Sequence, residues 1–509
     1  MASRRDELNA YTFAKRRTLA SFIQPSPSGS EEGAPRPLRG VVPGLIVGVI
    51  VLAVFGAWGM FKPAAKPGWD KPKEHVIIAS KSTTRYVVLK TDGKRQLHPV
   101  LNMASAKLLL DAGKGDVINV DESVLDKGTI PHGATIGIPY APDRLPSESE
   151  AGSAKRWAVC ERPGEGGRAI QKAAFILAER EQKKTEGSER LRGGELLYVV
   201  GPDKVRYVVD ARGKAYRIAE KDKFNVLRTI VDSGHKPQRV SSEWLKTLNY
   251  GDPITIPKVE GVPGAAANVK GLQDRQANRV GMVLKASEGA GTQHYVVEPG
   301  RISPVSDFTA QLLLGSPDLV PVGQDGNARN LSTGAFVPDL KTFGSEYKWP
   351  SQAPVTANEA AESAGSRNTI CNVLRKVDGD DGDTTLSTWA GTDFPATLPT
   401  GSSSAYVSAG SGLLYRQFTG SEPKAGGVFL ATDTGLRYAM QSNSDSATDD
   451  AGIGTSAKQR EQQRQEAQQA QTRLGYGNVD ATPVPASWST FLPTGPRLST
   501  SAARQPQGS

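Results

Sequence analysis

The 509-residue sequence predicts an α+β protein: a single N-terminal transmembrane helix, then an extracytoplasmic repeat domain with a disulfide-linked central β-rich core. Three observations predict it. Val41 to Phe61 are 21 consecutive positions without a charge, and a hydrocarbon core about 30 Å thick needs about 20 apolar residues at helical rise. A strand–helix–strand pattern recurs along the rest of the chain. The two cysteines, Cys160 and Cys371, sit in separate strand-like runs.

The apolar run reads as an uncleaved anchor rather than a signal peptide, whose apolar region spans about 7–15 residues close to the start. Seven basic residues precede it (Arg4, Arg5, Lys15, Arg16, Arg17, Arg36 and Arg39), and Lys62, Lys66, Lys71, Lys73 and Lys81 follow it. Charge near the span therefore gives no clear orientation, but long domains translocate largely regardless of charge. An isolated cysteine pair in the large part fits an exported disulfide, with two unrelated buried thiols as the alternative. The expected location is the cell membrane, single-pass, N-terminus cytoplasmic and C-terminal part outside.

Composition fits a folded exported part: 38% hydrophobic and 23% charged residues allow a core, while Gly 54 and Pro 34 indicate many turns. The net charge of +9 suits an anionic surface such as lipid headgroups or wall polymers, and equally a solubility margin. No long basic run, zinc spacing or nucleic-acid module occurs, so nucleic acid is not an expected partner.

Self-comparison finds Val240, Trp244, Leu248, Gly251 and Ile254 repeated as Val484, Trp488, Leu492, Gly495 and Leu498, each offset by 244. Gly133–Pro139 (GATIGIP) aligns with Gly251–Pro257 (GDPITIP). The other end of the unit is an aromatic or β-branched run before a glycine: Tyr86–Val88 with Gly93, Tyr207–Val209 with Gly213, Tyr295–Val297 with Gly300, Val428–Leu430 with Gly435. Such runs are hairpin chemistry. Between the ends lie helical stretches closed by glycine: Asn102–Gly113, Glu220–Gly234, Ser306–Gly315 and Ala457–Gly475. A left-handed glycine cap is expected at each.

The expected division is an arm and flexible tether over 1–40, the span over 41–61 and a linker over 62–85. Repeat 1 follows at 86–146, the central domain's first part at 147–195, repeat 2 at 196–263 and repeat 3 at 280–345. The central domain's second part covers 346–411, repeat 4 covers 412–498, and 499–509 is expected to be a disordered tail. Repeat 3 has a poor distal end around Phe336 to Pro350. The simplest model staples the two central segments through Cys160 and Cys371, with repeats 2 and 3 as one excursion between them. A helix within Arg168–Lys184 is allowed by its composition.

With these features in place, the chain resembles EccB, a membrane component of the type VII (ESX) secretion machinery of actinobacteria. The resemblance rests on RRDELNAYTFAKRR (Arg4–Arg17), the single span, WAVCE (Trp157–Glu161), the four repeats and FLPTGPRLSTSAA (Phe491–Ala503). It implies a short cytoplasmic arm, one membrane helix and an extracytoplasmic disulfide-linked core with repeats. The implied partners are a membrane-bound FtsK/SpoIIIE-type ATPase and other type VII membrane subunits, with self-association through the extracytoplasmic domain. The charged loop after Cys160 and the Gln-rich tract Gln459–Gln471 depart from the family pattern.

Some family members are described as ATPases, but no GxxxxGK[ST] cradle occurs; Gly113-Lys114-Gly115-Asp116 lacks the upstream glycine spacing and the Ser/Thr. The five histidines, His75, His98, His132, His235 and His294, are scattered, without a metal-binding spacing. Asp378–Asp383 departs from a calcium loop and reads as a solvated hairpin turn. No catalytic, metal or cofactor residue is expected. The chain reads as a non-catalytic scaffold, with an ATP-hydrolysing subunit or a wall-binding or hydrolytic ectodomain as alternatives. Its candidate contacts are Gly44, Gly48 and Gly56, a small-residue stripe for packing on another span, with Trp58 as an interfacial anchor. Leu8, Tyr11, Leu19 and Phe22 share a helical arc with Lys15. Together with Arg16 and Arg17 they form a candidate partner-docking arm, or an amphipathic helix lying on anionic lipid.

Overall fold

The N-terminal stretch forms two helices, the charged α1 (Arg4–Ile23) and the apolar α2 (Leu38–Met60). The computed structural model describes residues 3–23, 38–60, 65–164, 169–288, 291–360, 365–399, 404–440 and 457–507. Most of the tether Gln24–Gly40 and the end of the span at Phe61 lie outside them. Leu38 to Gly40, assigned above to the tether, are the first residues of α2. The described chain divides into two units, Met1–Pro67 and Gly68–Ser509.

In the larger unit the first sheet is built from β1 (His75–Ala79), β2 (Arg85–Thr91) and β3 (Lys94–Val100). These strands run antiparallel, and β4 (Asp116–Val120) lies parallel to β1 after α3 (Met103–Leu109). Asp92 and Gly93 both take positive φ (51° and 77°), the geometry of a tight hairpin turn that Asp-Gly favours. The linker expected over 62–85 therefore ends earlier, because His75–Ala79 is an apolar run buried as an inner strand of this sheet. Two short helices follow, α4 (Glu122–Leu125) and α5 (Glu148–Gly152).

The central sheet begins with β5 (Arg156–Arg162) and β6 (Gln171–Leu177). Residues 171–177 are thus a strand, not part of a helix. Their AAFIL run is buried against β5, and burial overrides helix propensity. The second sheet has β7 (Glu195–Val200), β8 (Arg206–Asp210) and β9 (Lys214–Arg217). Next come α6 (Lys223–Ile230), β10 (Gln238–Arg239) parallel to β7, α7 (Ser242–Leu245) and β11 (Asn249–Tyr250) parallel to β9. The third sheet has β12 (Val283–Glu288), β13 (Gly291–Glu298), β14 (Arg301–Val305), α8 (Asp307–Leu314) and β15 (Arg329–Asn330) parallel to β12.

β16 (Val355–Thr356) pairs with β7 of the second sheet, although its residues were assigned above to the central domain. The central sheet is completed by β17 (Thr369–Val377), β18 (Thr384–Gly391) and β19 (Ala405–Val407), in the order β18-β17-β5-β6-β19. Asp378–Asp383 forms the turn between β17 and β18. The fourth sheet has β20 (Gly412–Phe418), β21 (Gly427–Thr432), β22 (Arg437–Met440), α9 (Ala457–Leu474), β23 (Thr482–Pro485) parallel to β20, and α10 (Ala486–Ser489). The four outer sheets thus share one order: a three-stranded meander, a helix, and a strand returning parallel to the first.

Residues expected to form a disordered tail are ordered through Gln507. α11 (Thr500–Ala503) packs on α3, Ala503 is fully buried, and the Gln507 amide donates to the Thr135 carbonyl at 2.9 Å. Small, polar side chains conceal this strap because most of its hydrogen bonds come from backbone.

The cores explain the assembly. One cluster joins the central sheet to the second and fourth, with Trp157, Trp244, Trp488 and Tyr415 buried together. Another joins the first and fourth sheets, where α9 packs on α3. A third is shared by the second sheet and α8 of the third, with Phe308 and Trp349. The expected glycine cap fails at α8. Gly315 has φ −88°, and a Cβ there would meet Thr229 Oγ1 of α6 at 2.1 Å, so this glycine serves close helix approach. Gly475, directly after α9, does take a left-handed φ of 95°.

Candidate functional site

On α1, Leu8, Tyr11, Arg16, Arg17, Leu19 and Phe22 are all exposed, Phe22 to 92%. Five exposed apolar side chains on α1, Phe13 included, have no core of their own to enter. Along α2, the window Gly40–Ala57 is long and apolar enough to cross a membrane, the one such helix among the described residues. A Cβ placed at Gly44, Gly48 or Gly56 would meet nothing within 4 Å. The glycine stripe is open space, at the small-residue spacing that lets a second helix approach. The side chain of Trp58 lies outside the described residues.

In the larger unit, alternation along the central strands sorts their side chains. Trp157 and Val159 face the shared core, while Ala158 and Cys160 face the opposite side with Phe175 and Trp389. Cys160 and Cys371 are register partners on β5 and β17 and form a fully buried disulfide. Glu161 and Asn372 flank the pair in sequence, on the face of Trp157 and Val159. There α7 crosses both strands.

That seat is polar. The Ser241 amide donates to Glu161 Oε2 at 2.8 Å, the Ser241 hydroxyl donates to Glu161 Oε1, and Ser241 Oγ caps α7 by accepting from the Trp244 amide at 3.2 Å. Trp244 Nε1 donates to the Val159 carbonyl at 3.3 Å, and Asn372 Nδ2 donates to Thr247 Oγ1 at 2.6 Å. Glu161 is fully buried without a direct cationic partner among the described residues, so burial pushes its carboxyl above the usual range while the Ser241 bonds and Lys172 oppose the shift. Above it, Lys172 Nζ donates to Glu243 at 2.8 Å and pulls that carboxyl down to about 2.

The fourth sheet has a corresponding but different seat. Trp488 is buried in the same core, and Ser489 Oγ lies 2.8 Å from Tyr415 Oη and 3.0 Å from the buried Arg437 Nη1. The glycines of the 244-residue repeat take equivalent places. A Cβ at Gly251 would meet Tyr216 on β9 at 2.4 Å, and one at Gly495 would meet Tyr438 on β22 at 2.4 Å. Gly133 stands likewise against His98 on β3. His98 is tied to the Ala134 carbonyl at 2.9 Å and His294 to Asp307 at 2.7 Å, in separate sheets. Sequence reasoning missed Glu161, Ser241, Asn372 and Arg437. The one available signal was an acidic residue ending the apolar run of WAVCE.

Residues 1–508 match the family described as type VII secretion system ESX-1, transport TM domain B. The chain belongs to this family. It is thus a member of the EccB proteins of type VII (ESX) secretion, as its motifs suggested. It is 27% identical over 321 residues to the ESX-1 secretion system ATPase EccB1 of Mycobacterium tuberculosis, covering 62% of this chain and 60% of that one. To the ESX-3 secretion system ATPase EccB3 of Mycolicibacterium smegmatis it is 24% identical over 500 residues, 91% of this chain and 82% of the relative. The chain spans about half the length of another curated relative, EccB1 of M. smegmatis strain MKD8, at 54%. Its fold matches a chain of an intact ESX-5 inner membrane complex with TM-score 0.55 and 17% identity, covering 100% of this chain and 96% of that chain. It also matches a chain of the EccB3 dimer from the ESX-3 core complex with TM-score 0.53 and 20% identity, over 84% and 99%.

Proposed function

We propose that this EccB chain is a non-catalytic scaffold subunit of a type VII secretion membrane complex, linking the cytoplasmic motor assembly to an extracytoplasmic platform for protein export. One observation carries the reading: a span-length helix, the one such helix among the described residues, has an open glycine face and an exposed arm and shares a chain with a large disulfide-tied β structure. In this reading the bilayer is crossed once and the arm lies in the cytoplasm. Leu8, Tyr11, Arg16, Arg17, Leu19 and Phe22 dock the FtsK/SpoIIIE-type ATPase, and Gly44, Gly48 and Gly56 pack on another span. The four outer sheets are copies of one unit, supported by their shared strand order and by the equivalent Gly251 and Gly495. Self-association through the larger unit adds avidity to weak single-span contacts; one solved relative is an EccB dimer.

The test is capture of the full-length chain from detergent-solubilised native membranes, followed by mass spectrometry. Recovery of the FtsK-like motor with other type VII membrane subunits supports the scaffold; recovery of the chain alone, while other membrane complexes survive, overturns it. A second reading, nucleotide hydrolysis, is favoured by the word ATPase in the names of the relatives. It predicts phosphate release from ATP by the purified full-length chain, and absence of turnover removes it.

A further inference from the structure

Charged residues are almost never fully buried unless paired, because an unpaired buried charge is expensive. Glu161 breaks this pattern at a structural joint. It has no accessible surface, its two oxygens accept hydrogen bonds from Ser241 alone among the described residues, and Ser241 begins the helix that seats the second sheet on the disulfide-linked strands. We propose that Glu161 is a proton-sensitive latch for α7: protonated, it holds the segment from Ser241 to Tyr250 on the central sheet, and ionised, it loosens that seat.

The chemistry permits both states. A protonated Glu161 still accepts from the Ser241 amide at Oε2, and its own hydroxyl can donate to Ser241 Oγ. An ionised Glu161 keeps both bonds but carries a charge in an apolar core. Among the described residues, the charged groups facing it are Lys172, its register partner on β6, and Glu243 on α7. From β17 the facing residues are Ile370 and Asn372, neither charged. Lys172 and Glu243 are bonded to each other and largely neutralise one another, so Glu161 keeps only a small net cationic field.

The direction follows from linkage. Burial raises the carboxyl of the seated state above that of the opened, solvated state. The contribution to the seat is fully present below the ordinary carboxylate value and is lost as pH rises through the raised one. Glu243, held near 2, stays ionised throughout this window.

Hydrogen–deuterium exchange of the full chain in detergent, corrected for intrinsic exchange at each pH, reads the latch directly. Protection of the 241–250 peptide should fall with rising pH, by up to about tenfold per pH unit within the window, while the 486–495 peptide stays level. Glu161→Gln, whose amide can make both Ser241 bonds without titrating, should flatten the response. A flat wild-type response, or an unchanged slope in E161Q, overturns the proposal. If E161Q does not fold, Lys172→Met decides. Loss of the nearby cation should move the transition to higher pH, and an unmoved transition overturns the latch.

Discussion

The second and fourth sheets reach the common core through the same apolar device and different polar ones. α7 and α10 each insert a tryptophan, Trp244 and Trp488, into one cluster with Trp157 and Tyr415. α7 is capped by Ser241 and locked to a buried acid; α10 follows Pro485, which offers no side-chain cap, and its Ser489 meets a buried arginine. Packing needs only the right shape at the right spacing, so the tryptophan, leucine and glycine positions survive at a fixed offset of 244 residues. A polar lock must be satisfied group by group, so it depends on which neighbour the helix covers. α7 lies on β5, on the face opposite the disulfide, whereas α10 packs on β23 and β20.

The disulfide gives the largest way to break this comparison. Its cysteines are 211 residues apart, for which the chain-entropy model gives about 5 kcal/mol. Replacing both by serine should lower the urea midpoint accordingly, and exchange protection should drop at 241–250 well before 486–495. Equal losses would mean that α7 takes no special support from the strand pair. Next in size are Trp244→Ala and Trp488→Ala, each expected to cost about 3–5 kcal/mol by cavity formation. Calorimetry of the full chain should find them within about 1 kcal/mol of each other if the apolar device is shared.

The span-length apolar helix, the hairpins, the four helical stretches and the cysteine pairing were legible because each rests on local pattern, exact recurrence or the presence of only two cysteines. β1 was hidden because the recurring pattern was anchored at Tyr86, one strand too late, and HVIIA looks like a linker beside the basic juxtamembrane stretch. A helix within Arg168–Lys184 was allowed because Ala, Lys and Gln are frequent there; the strands on either side make Gln171–Leu177 β6, and only Glu179–Thr185 coils, as a 3-10 helix. The polar locks were illegible for a deeper reason. Glu161 and Ser241 are 80 residues apart, and nothing in either local sequence names the other.

Gly251→Ala and Gly495→Ala sharpen the comparison at a smaller scale. Each new methyl would stand 2.4 Å from a buried tyrosine ring, on Tyr216 or Tyr438. Overpacking of this kind costs about 1–3 kcal/mol, and similar shifts in Tm for both variants are expected. A large inequality would show that one tyrosine can move aside and that the two seats are less alike than their strand order suggests.

The smallest expected effect separates the two locks most cleanly. Ser241→Ala removes the cap of α7 and one donor to Glu161; Ser489→Ala removes an acceptor from Arg437. Both should cost about 1–2 kcal/mol at neutral pH. Their pH dependence should differ. The lost hydroxyl stabilises the ionised form of Glu161, so the S241A penalty should grow as pH rises through the raised carboxyl value and shrink below it. The S489A penalty, which rests on no carboxyl, should be flat. Urea unfolding of both variants across pH 4.5–8 checks this. Parallel curves would mean that the two serines do the same structural job and that the acid beneath α7 is a passive member of the core.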